Sequence, residues 1–131
     1  MKSVLISIQP KWCELIASGK KTDEVRQTRP KLETPFKVYI YCTQGLFKDL
    51  GVIGNEMYQK RMKVIGEFVC DDIAKILNFV THFGVEGRPE RELNTIARAS
   101  CLDYMDMLGY LGTEKDGYAW HISDLVIYDQ P

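Results

Sequence analysis

Apolar and polar positions alternate as the chain begins. In Val4-Leu5-Ile6-Ser7-Ile8 the side chains of Val4, Ile6 and Ile8 fall on one face, with Ser7 and Gln9 on the other, which is the period of a strand. The period then lengthens. Pro10 suits the first turn of a helix, where its missing N–H costs nothing, and Trp12, Leu15 and Ile16 form one apolar face at i, i+3, i+4. Gly19 supplies a residue free to take φ > 0 at the C-cap, so the pattern predicts a helix over 10–18. Lys21 to Thr28 reads as extended, broken at Arg29-Pro30. Phe36 to Cys42 is aromatic and β-branched and predicts a strand, with Tyr39, Tyr41 and Thr43 sharing one face.

The segment 44–62 holds Gly45, Gly51, Gly54 and Asn55 and reads as a long loop or hairpin excursion. Its apolar residues Leu46, Phe47, Val52, Ile53, Met57 and Tyr58 are many for a loop. They either cover the core or form a contact surface. Met62 to Cys70 predicts another strand, Ile73 to Val80 fits a short helix or irregular chain, and His82 to Pro89 reads as loop. Ser100 with Asp103 three residues on resembles a capping box, with Tyr104, Met105 and Leu108 as the expected buried face of its helix. Tyr118 to Tyr128 closes the chain as a long strand, with a bulge expected near Ser123-Asp124.

The order is strand, helix, several strands, helix, strand, without regular βα alternation. It predicts an α+β fold with five to six strands and two or three short helices, not a doubly wound sheet. A partly closed β-barrel with helices at its rim would manage the exposed strand edges. A length of 131 residues suits a single domain over 1–131 with an adequate core. No apolar run approaches the ~20 residues of a membrane span, and Met1-Lys2-Ser3 leads directly into the first strand without a signal-peptide core. The expectation is a cytoplasmic protein without membrane contact. Cys13, Cys42, Cys70 and Cys101 have no CxxC-type spacing and are expected to be reduced and mostly buried.

Net charge is −1, but its distribution is uneven. Residues 1–37 carry +4, residues 38–70 carry +1 and residues 71–131 carry −6. This asymmetry predicts a basic face for an anionic partner unless the charges mix on folding. Within the basic third, Gly19-Lys20-Lys21-Thr22-Asp23-Glu24-Val25-Arg26 follows a packed helix and enters a strand, with Val25 as its apolar member. On a strand Glu24 and Arg26 share a face, ~6–7 Å apart. Arg26 is then placed to pair with Glu24 in a charge-assisted bond or to present its guanidinium to a phosphate or base edge. The bland alternative is an exposed ion pair worth at most ~1 kcal/mol. Glu67, beside Gly66, is a candidate partner for Arg26 or Lys21, or a general base. Trp120 offers a core ring or a stacking surface, with Trp12 and Tyr41 as other aromatic candidates. His82 and His121 lack carboxylates at ligand spacing, so no metal is expected. No cofactor is expected either, since there is no phosphate-cradling glycine loop, nucleophile elbow or dinucleotide fingerprint.

Gly19, Lys21, Glu24 and Arg26 fill the four fixed positions of G-x-K-x-x-E-x-R, the signature of the ASCH domain, a family of the PUA-like β-barrel superfamily. The Ser7-Ile8-Gln9-Pro10 strand end and the helix from Trp12 to Ile16 precede the motif as in that family. Val64-Ile65-Gly66-Glu67-Phe68 and Tyr118-Ala119-Trp120-His121-Ile122-Ser123 resemble later strands of its small bacterial and prophage-encoded members. The resemblance spans about residues 3–128. It implies a PUA-like barrel with a cleft beside the first helix, lined by the motif, that binds RNA or a nucleotide. The motif residues Lys21, Glu24 and Arg26 are the implied lining, and Gln9 and Trp120 are the further contacts expected from the residues themselves. Some family members are amidohydrolases of N4-acylated cytidine, in which the motif lysine is proposed to activate a threonine two residues before the arginine. Here that position is Glu24, and Thr22 is displaced by two. If this chain is an enzyme, Lys21 and Glu24 are the catalytic candidates; a protein-interaction domain is the third alternative.

Overall fold

The computed structural model describes residues 1–87 and 92–130. Six strands form one curled sheet: β1 (Ser3–Ile8), β2 (Asp23–Arg26), β3 (Phe36–Cys42), β4 (Lys63–Leu77), β5 (Gly84–Val85) and β6 (Gly117–Ile127). The spatial order is β1-β3-β4-β6-β2, with β5 added to β4. Only the β1–β3 pair is parallel. The two end strands of this path are therefore β1 and β2, which flank the first helix in sequence. The fold is the expected α+β half-barrel.

Helix α1 (Pro10–Ala17) follows β1 directly, with Pro10 in its first turn and Cys13 and Ile16 on its buried face. It ends at Ser18, and Gly19 takes φ +82° as predicted. The segment 44–62 is not a strand pair. It contains a 3-10 helix (Phe47–Val52) and α2 (Asn55–Gln59), both packed against α1. Gly45 lets this excursion cross Pro10 closely: a Cβ there would lie 2.9 Å from two Pro10 ring carbons. Met57 is buried under α2, whereas Leu46, Phe47, Val52 and Tyr58 remain exposed.

The structure departs from the sequence expectation at several elements. The strand predicted to end at Cys70 runs on through Leu77. Its irregular middle marks register shifts against β6 between Glu67 and Val69 and between Cys70 and Ile73. These shifts bend one long strand between two cores, and a bent strand loses the clean alternation that identifies strands in sequence. The expected bulge near Ser123-Asp124 is present, with Asp124 at φ +47°. Residues 79–82 form a single helical turn, α3 (Phe79–His82); within the expected loop Gly84 and Val85 instead pair with β4 as β5, and the part with Pro89 lies outside the described residues. Ser100 does not start a helix but ends α4 (Leu93–Ser100), and Cys101 follows in the left-handed region at φ +59°. The capping box belongs to the next pair: Asp103 accepts from the Asp106 backbone N–H, and Asp106 accepts from that of Asp103. In α5 (Tyr104–Leu111) it is Met107 and Leu111 that are buried, in the second core, while Tyr104 and Met105 are exposed. Five short helices are present among the described residues, more than the two or three expected.

The first core fills the barrel, with Ile8, Ile16, Phe36, Ile40, Phe68 and Trp120 among its members. The second lies between the opposite end of the sheet and α4 and α5, around Val25, Ile76, Ile96, Met107 and Ala119. Cys13, Cys42 and Cys70 are buried and Cys101 is half-buried, all four free. Among the described residues no helix is long and apolar enough to cross a membrane.

Candidate nucleotide-binding cleft

The sheet does not close by backbone pairing between β1 and β2. A cleft of about 590 Å³ occupies this seam. Ser7, Ile8 and Gln9 line it from the end of β1, Lys11 and Trp12 from α1, and Lys21, Glu24, Val25 and Arg26 from the approach to β2 and the strand itself. Leu102, Asp106 and Tyr110 close the far side from α5 and the turn before it. The volume is in the range of small-molecule sites.

The motif is set into this wall by backbone bonds on both sides. The Lys20 and Lys21 N–H groups donate to the Leu15 carbonyl, which wraps the chain around the end of α1. The Thr22 N–H donates to Ala99, and the Ile122 N–H donates to the Thr22 carbonyl. Thr22 thus stitches α4 to β6. In β2, Glu24 lies opposite Trp120 and Val25 opposite Ala119, so Glu24 and Arg26 share one face and Val25 joins the second core.

Glu24 is the hub of the charged group. Its Oε1 lies 3.3 Å from Lys21 Nζ and its Oε2 lies 3.2 Å from Arg26 Nη1. Lys21 Nζ also donates to the Ser100 carbonyl at 2.7 Å. That carbonyl sits at the C-terminal end of α4, where the helix dipole favours a cation. The Lys21 side chain is only 2% exposed and that of Glu24 8%, whereas that of Arg26 is 27% exposed. The group is therefore graded in depth: Lys21 is held inside by two acceptors, and Arg26 reaches the solvent side. Burial removes the surface-pair alternative, because an ion pair this desolvated is not governed by surface screening. Trp12 lies beneath two lysines, with Lys11 Nζ 4.8 Å and Lys21 Nζ 5.1 Å from its ring centroid. Lys11 also pairs with Asp49 at 3.4 Å, tying the cleft rim to the 3-10 helix.

Four of the five sequence-derived contacts, Gln9, Lys21, Glu24 and Arg26, line this one cleft. Trp120 does not. It is 3% exposed and meets Phe36 edge-on, with centroids 5.6 Å apart, as a member of the first core. Trp120 is the register partner of Glu24 in the β2–β6 pair, and its ring packs into the first core against Phe36 instead of reaching the cleft. Glu67 is not a partner of the motif either. It pairs with Lys37 at 2.8 Å and accepts from the Tyr128 hydroxyl at 2.7 Å. Lys37 and then Tyr128 hold its carboxyl below the usual carboxylate range, and Glu67 in turn raises the Tyr128 hydroxyl to about 12. His121 Nδ1 lies 2.7 Å from Asp71, a carboxylate brought near by the β4–β6 register rather than by sequence spacing. No group of three or more metal-ligating side chains converges among the described residues.

Sequence reasoning missed the α5 wall. Asp106 and Tyr110 are four residues apart and share a face of α5, but which face of that helix meets the cleft is set by its packing and not by spacing. Lys37 of the basic N-terminal segment pairs with Glu67 of the middle segment, whereas Lys75 pairs with Glu86 and Asp116 inside the acidic remainder.

A partly closed barrel with a charged cleft at its open seam defines a class of small α+β domains. Among solved structures, the fold is similar to the crystal structure of ASCH from Zymomonas mobilis, with a TM-score of 0.65 and 21% identity over 96% of this chain and 70% of that one. Crystal structures of two point variants of that protein match with TM-scores of 0.62 and 0.64, again at 21% identity, over 97% and 96% of this chain and 73% and 70% of theirs. The chain has the ASCH-domain fold. No family model matches its sequence, and no curated protein matches it.

Proposed function

We propose that this domain binds RNA or a nucleotide-sized ligand in the seam cleft. The observation that carries the reading is the convergence on one ligand-sized cavity of Gln9, just after β1, with Lys21, Glu24 and Arg26, before and within β2, two strands that do not pair. Lys21 and Glu24 are too deep and too well paired to meet a phosphate directly; their role is to fix Arg26 and to keep the wall polar. Arg26 spends Nη1 on Glu24 and Ser7, and its other guanidinium nitrogens have no protein partner among the described residues. They are available to a phosphate oxygen, in the geometry that arginine recognises best. Lys11 adds a second cation at the rim. Tyr110, across the cleft and partly exposed, offers an aromatic face of the kind that single-strand binders stack on bases. The fold likeness is consistent with this reading.

Fluorescence titration with mixed RNA oligomers and nucleotides, at low and moderate salt, tests it. Binding that weakens as salt rises is expected, because each phosphate contact releases counterions. Absence of binding to RNA and nucleotides alike contradicts it.

A further inference from the structure

The outer face of the sheet carries a row of side chains that the cleft reading leaves unused. In β3, Val38, Ile40 and Cys42 belong to the first core, so strand alternation turns Lys37, Tyr39 and Tyr41 away from it. In β1, Ile6 and Ile8 belong to the same core, and Leu5 and Ser7 turn outward. The parallel register sets Leu5 beside Tyr39 and Ser7 beside Tyr41. Both tyrosines are partly exposed, and Leu5 is 60% exposed. Residues two apart on one strand face are ~6–7 Å apart, so Tyr39 and Tyr41 offer two rings in a row to successive bases of an extended strand. Aromatic rings on an open sheet face are a general means of holding single-stranded RNA.

This face is continuous with the cleft. Ser7 lines the cleft, its carbonyl accepts from Arg26 Nη1 at 3.1 Å, and it is the register neighbour of Tyr41. A single strand, β1, therefore separates the Arg26 guanidinium from the first tyrosine. The cleft also opens the other way, past Leu102 and Asp106 into a groove on α4 and α5 where Arg98 stands among Asp103 and Asp106. Two carboxylates there oppose a phosphate chain. The charge of the whole chain points the same way: α1, β1 and β3 lie within the first 42 residues, of which 1–37 carry +4, whereas α4 and α5 lie in the stretch that carries −6. We infer that the ligand is a single-stranded RNA segment of about three nucleotides or more, held at a phosphate by Arg26 in the seam and running outward over β1, with its next bases stacked on Tyr41 and then Tyr39. Leu5 supplies apolar contact beside Tyr39. Lys37, whose Nζ lies 5.9 Å from the Tyr39 ring centroid, marks the far end of the path.

This inference rests on the cleft being an RNA or nucleotide site, and the test separates the two. Fluorescence anisotropy at low salt measures labelled, mixed-sequence RNA tetranucleotides, with the nucleoside monophosphates as competitors. The proteins are the wild-type chain, Tyr41→Leu, Tyr41→Phe and Arg26→Lys. The tetranucleotides are expected to bind more tightly than any monophosphate. Tyr41→Leu should weaken them about tenfold, the scale of one base–aromatic stack, and leave the monophosphates unchanged. Tyr41→Phe keeps the ring and should bind as the wild type does. Arg26→Lys should weaken both kinds of ligand. Should Tyr41→Leu fold poorly, the wild-type Tyr41 ring protons, shifting with a tetranucleotide but not with a monophosphate, give the same answer without a variant. Tetranucleotides that bind no more tightly than monophosphates, or that bind without involving Tyr41, overturn the extended path and leave the cleft site standing. Weakening by Tyr41→Leu with none by Arg26→Lys puts the RNA on the sheet face alone and overturns its continuity with the cleft. Failure of every ligand to bind overturns both readings.

Discussion

The Arg26 guanidinium donates to the Ser7 carbonyl at 3.1 Å, and those two residues belong to the two end strands of the sheet. The bond spans the seam that the backbone leaves open. The same Nη1 also donates to Glu24, so one side chain both bridges the barrel gap and forms part of the cleft wall. Strand edges left unpaired are a liability in most sheets. Here the open edges frame the ligand-sized space.

Arg26→Lys tests how that bridge is used. Lysine keeps the charge but loses the planar, multi-donor head. Nucleotide affinity is expected to fall by about 1–3 kcal/mol, as for a lost charged hydrogen bond, with little change in the thermal midpoint. Wild-type binding with a clearly lowered midpoint would mean that Arg26 serves the fold alone.

Glu24 holds two cations, and its removal should cost more than the removal of either. Glu24→Ala leaves buried Lys21 facing Arg26 without a counter-charge, and about 3–5 kcal/mol of stability is expected to be lost. Lys21→Met should cost less, because Glu24 keeps Arg26. Chemical denaturation of both variants gives the order, and the reverse order would contradict the hub role of Glu24.

Much of this arrangement is legible in the sequence, for stated physical reasons. Gly19 ends α1 with positive φ because the C-cap asks for it, and Val25 turns to the core because strand alternation leaves it no other face. Lys21, Glu24 and Arg26 are close in sequence, so a short extended segment carries them to one place. The α5 wall was not legible, since the face that α5 turns to the cleft is decided by the packing of Met107 and Leu111 into the second core, which has no local signal. Trp120 was ambiguous because a strand residue's face depends on register, and β6 carries a bulge that sequence locates only approximately. The seam contact of Arg26 with Ser7 depends wholly on sheet order and has no local signal.

Gly66 lies where β4 meets the end of β6, and a Cβ there would run into the Val126 carbonyl oxygen. Gly66→Ala is expected to destabilise by about 1–3 kcal/mol, because backbone cannot yield as a flexible side chain does. Gly51→Ala, which meets nothing within 4 Å, should be nearly neutral. Equal midpoints for the two variants would contradict the close strand approach at Gly66.

The Lys37, Glu67 and Tyr128 cluster predicts a pH signature. Glu67 is depressed in the folded state by Lys37 and Tyr128, so its contribution is present above its ordinary value of 4.5 and is lost as pH falls below it. Tyr128 is raised by Glu67 to about 12, so its contribution is present below its ordinary 10.0 and is lost as pH rises through 12. Tyr128→Phe should be less stable than the wild type at neutral pH, and the gap should narrow in both directions. Denaturation midpoints from pH 3 to 11 check this; a gap constant across the range would rule out the Glu67 contact.

The central claim is that the seam cleft is the ligand site, and amide chemical-shift mapping tests it most directly. With the 15N-labelled chain titrated by nucleoside monophosphates and short RNA at low salt, the account predicts shifts clustered at Gln9, Trp12, Lys21, Glu24, Arg26 and Tyr110, diminishing as salt is added. Shifts confined to another surface, or a spectrum unchanged by every ligand, would contradict it.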